Sequence, residues 1–176
     1  MASFNLKSTI ISNRDASPKV LTDAFVSGGE VRESEGFVQT GSAADAVGST
    51  YRLCQVPSNA RVTSLVLQND ALGAGAVVNI GVYYPTTVPV GAGLSSALAG
   101  TAINASAFAA AVSVAAVGAA TEVVTRANVA INLQEQALWQ LAGLTSDPLI
   151  YLDIVITVSV ITAAQGYVSL KAKYIE

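Results

Sequence analysis

Few side chains in this sequence could perform catalysis or bind a metal ion. Histidine is absent from the 176 residues, which removes Ser-His-Asp and Cys-His arrangements, imidazole metal sites and the commonest general base near neutral pH. With one cysteine and no histidine, zinc has no plausible set of ligands. The single cysteine, Cys54, lies in an apolar-alternating run, so we interpret it as a small buried residue.

Pairs of carboxylates are a second possible source of chemistry. Glu30, Glu33 and Glu35 are close in sequence, and Asp147 and Asp153 flank the start of one predicted strand. Because the acidic trio lies in a polar, glycine-containing stretch, a solvated segment is favoured over a glycosidase pair or a cation site. We therefore expect no catalytic residues, no metal and no cofactor, in a protein that is not an enzyme.

The glycine motifs and the single tryptophan are also typical of structural roles. Gly73-Ala74-Gly75 and Gly91-Ala92-Gly93 are not followed by a Lys-Ser/Thr pair or a convincing helix, so they are interpreted as turns and not as phosphate loops. Asp70, which follows Asn69, is predicted to bond its own backbone in a turn. Trp139 is predicted to pack onto the rest of the domain.

The composition limits the classes of partner. Hydrophobic residues make up 52% of the chain and charged residues only 12%, whereas an average soluble domain has roughly 25% charged residues. The net charge of −3 provides no basic surface for a nucleic acid. A surface poor in charge suits a protein that packs against neighbouring subunits.

Neither a signal peptide nor a membrane span is predicted. Met1 to Ile11 lacks the basic and continuous apolar regions of a signal peptide, so we expect the protein to fold in the cytoplasm. Ala97 to Thr121 is long and uncharged, but it is mostly alanine and lacks the large apolar residues and basic flanks of a spanning helix.

Residues 1–47 are predicted to form an extended N-terminal arm, with one short strand near Gly36 to Thr40, because their apolar residues show little periodicity. A frayed terminus is one interpretation. An arm that orders against a partner subunit is favoured, since the arm contains many apolar groups. The residues predicted to form this partner interface are Phe4, Leu6, Ile10, Ile11, Val20, Leu21 and Phe25.

Residues 48–176 are predicted to form a β domain. Ser49 to Val56 and Arg61 to Gln68 are predicted strands that a Pro57-Ser58-Asn59 turn joins as a hairpin, and Val77 to Tyr84 is a predicted half-buried strand. Thr86 to Ala120 is a low-complexity mixture of small residues, which predicts a long loop with one or two short elements.

The C-terminal third has the clearest patterns. The spacing of Asn132 and Glu135 is that of a capping box, which predicts one short helix near 132–142 that Gly143 ends. Apolar residues alternate from Ile150 to Val160 and again over residues 167–174, which predicts two strands that pair with each other across a Gln165-Gly166 turn.

These elements predict a mainly β fold. There are six or more β-rich runs, one short helix and no βαβ rhythm. A two-sheet antiparallel sandwich of the jelly-roll type is the favoured architecture, with the arm over residues 1–47 and the sandwich over residues 48–176.

Three segments resemble a family of tailed-bacteriophage virion structural proteins that are usually encoded close to the major capsid protein. They are Ala46 to Leu72 with its onward strand (GSTYRLCQVPSNARVTSLVLQNDAL, then VVNIGVYY), Ala137 to Pro148 (ALWQLAGLTSDP) and Tyr151 to Ile175 (YLDIVITVSVITAAQGYVSLKAKYI). Residues 91–120 depart from the family's pattern.

The resemblance implies a jelly-roll capsid cement, or decoration, protein. Such a protein binds the capsid exterior as a small homo-oligomer, a dimer or a trimer, and straps together neighbouring subunits of the major capsid protein. The resemblance implies no catalytic residue.

Two other roles in a virion stay open. A neck or collar component would share these sequence features and differ in copy number. A head-fibre or tail-fibre component that binds glycans would need a surface cluster of aromatic residues, for which Tyr83, Tyr84 and Tyr151 are the candidates.

Overall fold

The computed structural model describes residues 7–22, 28–41, 45–87, 93–121, 127–160 and 164–176. Within these ranges the chain forms eight strands and two α-helices, with two 3-10 turns at Ser96–Leu98 and Ile131–Leu133. No helix in these ranges is long and apolar enough to span a membrane. The helices are α1 (Thr9–Asp15) and α2 (Leu138–Leu141), and the strands are β1 (Val31–Gln39), β2 (Thr50–Pro57), β3 (Arg61–Asn69), β4 (Val77–Tyr83), β5 (Ala102–Ser113), β6 (Gly118–Thr121), β7 (Tyr151–Val160) and β8 (Tyr167–Ile175).

The strands form two antiparallel sheets. One sheet has the order β1-β8-β3-β6 and the other has the order β2-β7-β4-β5. The pairs β1–β8, β2–β7, β3–β6 and β4–β5 are those of one long antiparallel hairpin, and the further pairs β3–β8 and β4–β7 roll that hairpin into two sheets. This is the topology of a jelly roll. The predicted two-sheet antiparallel sandwich is confirmed.

Alternating apolar residues of both sheets form one core between them. On β7 the buried face is Leu152, Ile154, Ile156 and Val158, and β8 buries residues 168, 170, 172 and 174, as the alternation predicts. Because burying one large aliphatic side chain contributes about 1.5–3 kcal/mol, these two strands contribute much of the stability of the sandwich.

The predictions that β2 pairs with β3 and that β7 pairs with β8 are wrong. β7 and β8 lie in different sheets, and so do β2 and β3, so the turns at Gln165-Gly166 and Pro57-Ser58-Asn59 carry the chain from one sheet to the other. The reason is that both sheets direct their apolar faces at the same core. The alternation along a strand therefore defines its buried face and not the sheet in which it pairs.

The prediction of a long loop with one or two short elements over residues 86–120 is wrong in the length of one element. This segment contains the 12-residue strand β5 and the start of β6. The pairing of β5 with β4 shifts in register three times, and Ala111 has a positive φ of 55°. These bulges break the period of two, and alanine gives little contrast between a buried and an exposed face, so neither sequence pattern persists.

The predicted helix is shorter and begins later than expected. Asn132 lies in a 3-10 turn, and α2 begins at Leu138 because its first amides have tertiary acceptors. The Leu138 N–H donates to the Ala60 carbonyl (2.8 Å) and the Trp139 N–H donates to the Ser58 carbonyl (3.0 Å). Gly143 ends the helix as predicted, at φ 89°, where the left-handed conformation suits glycine.

The N-terminal boundary also differs from the predicted one. β1 pairs with β8 along its whole length, so the sandwich unit begins at Val31 and the separate N-terminal unit is Met1–Glu30. The sequence predicted only a short strand near Gly36 to Thr40, because β1 is an edge strand whose exposed residues include charged ones and obscure its alternation.

The edge strands of the two sheets approach closely at Gly36. A Cβ atom on Gly36 would lie 2.0 Å from the carbonyl oxygen of Leu53 on β2. Beside this point, the Gln55 N–H donates to Ser34 Oγ (3.1 Å) and the Cys54 thiol donates to the Ser34 carbonyl (3.3 Å). Glycine therefore allows β1 and β2 to close this side of the sandwich.

We expect Gly36→Ala to lower the free energy of unfolding by about 2–3 kcal/mol, because the added methyl group must push two backbones apart. Urea unfolding followed by circular dichroism measures the change. Gln39→Ala, at an exposed position of the same strand, is the matched control and should change the free energy by less than about 0.5 kcal/mol. Equal losses in the two variants would contradict the close approach.

Candidate functional site

The residues predicted to form a partner interface lie in the N-terminal unit. Phe4, Leu6 and Phe25 fall outside the described residues. Ile10 and Ile11 are half-buried on α1, a helix that buries no residue fully. Val20 and Leu21 follow it and are exposed, Leu21 to 89%.

Among the carboxylates that could have formed a catalytic pair, Glu33 and Glu35 instead share an ion pair with one lysine. Glu33 and Glu35 on β1 flank Lys171 of β8, with carboxylate–Nζ distances of 3.2 and 3.1 Å, and together they raise the pKa of Lys171. Glu30, which precedes β1, is exposed. No group of three Cys, Asp or Glu side chains in the described ranges is arranged to hold a metal ion.

Asp153 belongs to a hydrogen-bond network on the outer face of the β2-β7-β4-β5 sheet. Its carboxylate accepts from the Arg52 guanidinium (2.7 Å), which also donates to the carbonyls of Tyr84 (3.0 Å) and Gly100 (2.7 Å). An open cleft of about 480 Å³ lies beside this pair. Because Arg52 and Asp153 are already paired with each other and with the backbone, they connect the residues that follow β4 to the sheet.

Asp147 and Cys54 also have structural surroundings. The Ser58 hydroxyl donates to the Asp147 carboxylate, which joins the β2–β3 turn to the chain before β7. Cys54 is buried, as predicted, and burial raises the pKa of its thiol to about 11. Since the thiolate is the reactive form, Cys54 is not an activated nucleophile.

The aromatic cluster that a glycan-binding role would need does not form from the predicted residues. Tyr83 and Tyr84 are buried, and the Tyr83 hydroxyl lies 2.6 Å from Thr157 Oγ1. The Arg52 guanidinium carbon lies 5.6 Å from the centre of the Tyr83 ring. Tyr151 alone is exposed, at the start of β7.

A different aromatic surface lies on the outer face of the β1-β8-β3-β6 sheet. Phe37 and Tyr167 are 74% and 50% exposed, and their ring centres are 6.3 Å apart. The strand register places Gln39 beside Tyr167, and it places Phe37, Ser169 and Gln68 in one row across the sheet. Asp70 extends the Tyr167 row, since its N–H donates to the Tyr167 carbonyl (2.9 Å). We call these residues the Tyr167 corner: Phe37, Gln39, Gln68, Asp70, Tyr167 and Ser169.

The exposed Asp70 and the buried Thr40 hold the Tyr167 corner in place. The Asp70 carboxylate accepts from the Tyr167 N–H (2.8 Å). On the β1 side, the Thr40 hydroxyl accepts from the Gly166 N–H (3.0 Å) and the Thr40 N–H donates to the Gly166 carbonyl (2.9 Å). The start of β8 is therefore fixed from both neighbouring strands.

Asn69 holds the adjoining loop. Its side-chain amide donates to the carbonyls of Asp70 (2.6 Å), Val114 (3.3 Å) and Ala116 (2.9 Å). This loop carries Val117, which is 73% exposed. Together they border a shallow pocket of about 310 Å³ lined by Gln68, Asn69, Asp70, Val117, Gly118, Tyr167 and Ser169.

Sequence reasoning missed this corner for an identifiable reason. The alternation of β8 places Tyr167 on the outer face, and the short strand near Gly36 to Thr40 includes Phe37. The two residues are 130 positions apart, and they meet only because β1 pairs with β8. The available signal was two aromatic residues on outward-facing strand positions, but the pairing of those strands was not predicted.

Comparison with known proteins finds similar structures but no matching sequence family. No protein-family model matches the chain, and no curated protein matches it. A chain in the capsid of Ralstonia phage GP4 is similar, with a TM-score of 0.52 and 20% identity over 84% of this chain and 85% of that chain. A chain in the cyanophage Pam1 capsid asymmetric unit has a TM-score of 0.49, with the same identity and coverage. The likeness to the GP4 chain is one of fold.

We expect Asn69→Ala to lower the free energy of unfolding by about 2–3 kcal/mol, because it removes three hydrogen bonds that a buried side-chain amide donates. Urea unfolding measures the loss. Asn79→Ala is the matched control: the Asn79 side chain is half-buried and accepts one bond, from the Ala111 N–H (2.9 Å), so this variant should lose less than about 1 kcal/mol. A loss at Asn69 no larger than that at Asn79 would contradict the role given to the Asn69 amide.

Proposed function

We propose that the chain is a structural protein of a bacteriophage virion, and more specifically a cement protein that binds the outside of the head and stabilises contacts between major capsid subunits. Its partners would be the major capsid protein and other copies of itself, as a dimer or a trimer, with no nucleic acid and no membrane. In this proposal the protein has no catalytic role.

The observation that carries the proposal is the jelly-roll fold shared with a chain in the capsid of Ralstonia phage GP4. Fold alone does not define function, because jelly rolls occur in several classes of protein. The sequence resemblance to virion proteins points in the same direction. It rests on different observations, namely residues in β2, β3, β4, β7, β8 and α2.

The surface of the chain suits this role. Among the described residues, large apolar side chains are exposed at two positions in the N-terminal unit and at nine in the sandwich unit, while only 12% of all residues are charged. A protein bound in many copies to a shell can use such modest contacts, since the attachment of an oligomer multiplies them. The exposed large apolar residues are Val20, Leu21, Val31, Phe37, Val47, Val117, Ile131, Leu149, Tyr151, Val160 and Tyr167.

The N-terminal unit is the part we propose to attach to the capsid. The described part of the unit exposes Val20 and Leu21, and its only helix buries nothing fully. Apolar groups in such a segment gain stabilisation only when a partner covers them, and an arm can wrap a neighbouring subunit. Phe4, Leu6, Ile10, Ile11 and Phe25 belong to the same proposed contact.

We expect deletion of residues 1–26 to leave the sandwich folded but to lower its occupancy on particles severalfold. The sandwich unit begins at Val31, so the urea unfolding curve should change little. Occupancy is measured by quantitative mass spectrometry of purified particles to which the full or shortened chain is added. Unchanged occupancy would refute the role of the arm.

A pair of single substitutions controls for general loss of apolar surface. Leu21→Ser should lower occupancy, whereas Ile131→Ser, which removes a side chain exposed to a similar extent (88% against 89%), should not. Cryo-electron microscopy of the same particles separates the remaining roles. Density distributed over the whole shell supports a cement protein, a single ring at one vertex supports a neck component, and particles without this chain refute a virion role.

A further inference from the structure

We propose that the Tyr167 corner binds a neutral pyranose sugar. This inference goes beyond the proposed function and does not depend on it, because it concerns the isolated chain. It rests on the juxtaposition of an exposed tyrosine ring with amide, hydroxyl and carboxylate groups on a rigid sheet face.

The ring supplies the first requirement of a sugar site. One face of a pyranose ring consists of C–H groups, which pack on an aromatic face, and Tyr167 is half exposed on the outer face of the sheet. Phe37 lies beside it, with the two rings inclined at 58°. The two rings thus form an angled apolar surface, which large aromatic side chains provide with little loss of conformational entropy.

The groups around the ring supply the second requirement. Gln39 and Gln68 are exposed on the strands flanking β8, and Ser169 lies between Phe37 and Gln68 in the same row. Among the described residues no protein group bonds to the two amides or to the Ser169 hydroxyl. An amide both donates and accepts, as a sugar hydroxyl does, so these groups can bond the edge of a ring stacked on Tyr167.

The distribution of charge on this face defines the class of ligand. The two rows of the Tyr167 corner contain no Lys or Arg, and their one charged residue is Asp70. Ionic groups begin one row further along, where Glu35 pairs with Lys171. A phosphate or an acidic sugar would meet Asp70 without a cation to offset it, whereas the hydroxyl groups of a neutral sugar can donate to that carboxylate.

Hydrogen bonds from the neighbouring segments fix the backbone of this corner. Tyr167 is held by Asp70 on one side, and through Gly166 it is held by Thr40 on the other, while Asn69 fixes the loop that carries Val117. A small ligand makes few contacts, so its binding free energy is small. A site that is already ordered does not lose conformational entropy when the ligand binds, and more of that binding free energy is kept. The pocket volume of about 310 Å³ is at the lower end of the range for small ligands.

The test uses the full chain and the methyl glycosides of glucose, galactose, mannose and N-acetylglucosamine. Amide chemical-shift titration by NMR should show saturable, millimolar binding of at least one of them, with shifts centred on Phe37, Gln68, Tyr167 and Ser169. Saturation transfer from the protein should be strongest at the C–H face of the sugar. Failure of all four glycosides to bind would overturn the proposal.

Three variants test the role of the ring. Tyr167→Ala should weaken binding about tenfold, whereas Tyr167→Phe, which keeps the ring, should retain it. Tyr151→Ala is the matched control, since Tyr151 also begins a strand and is 49% exposed, and it should bind like the wild type. Equal losses at Tyr151 and Tyr167 would overturn the proposal. The proposal would also be overturned if the wild-type chain bound none of the sugars and Tyr167→Ala altered occupancy on particles. The corner would then be a protein contact.

Discussion

The structure depends on the closure of two sheets over a single apolar core. Each strand contributes alternate residues to that core, and the chain must cross from one sheet to the other several times to build it. Backbones approach closely at two points, one between the sheets and one within a sheet, and glycine makes both approaches possible. At Gly36 a side chain would meet the Leu53 carbonyl at 2.0 Å, and at Gly81 it would meet the backbone of Asn104 and Ala105 at 2.3 Å. The first contact closes β1 on β2, and the second allows β5 to bulge over β4.

Crossings between sheets leave backbone groups that no strand can satisfy, and buried polar residues lie where this happens. Among the described residues the buried polar side chains are Thr40, Ser58 and Asn69. Ser58 joins the β2–β3 turn to Asp147 and to the Ile150 N–H (3.3 Å). Thr40 and Asn69 serve the opposite end of β3. An unsatisfied buried polar group costs about 1–3 kcal/mol, so these three side chains set the geometry of both ends of the sandwich, and the Tyr167 corner is rigid for that reason.

The same physics explains what the sequence could predict. Alternation in β7 and β8 is strong because large aliphatic residues alternate with polar ones along each strand. These strands and their buried faces can therefore be predicted from the sequence. The pairing partners of those strands cannot be predicted in this way, since a strand has the same apolar pattern in either sheet. β5 is concealed by alanine and by its bulges, and the start of α2 is decided by the Ala60 and Ser58 carbonyls, which are distant in sequence. The Tyr167 corner requires the β1–β8 pairing, so it could not be predicted from the sequence. The absence of histidine and the presence of a single cysteine are properties of the sequence itself.

The outer face of the β1-β8-β3-β6 sheet is divided in a way that neither stability nor solubility requires. Toward one end, Glu33 and Glu35 alternate with Lys171, which is an ordinary solvated arrangement that contributes little to stability. Toward the other end, charge gives way to aromatic and amide side chains supported by buried hydrogen bonds. The exposed part of each aromatic ring adds nothing to the stability of the free chain, and it raises the risk of aggregation. A protein poor in charge has little means to offset that risk, so we interpret the rings at Phe37 and Tyr167 as a contact surface, and the hydrogen bonds beneath them keep that surface in one geometry.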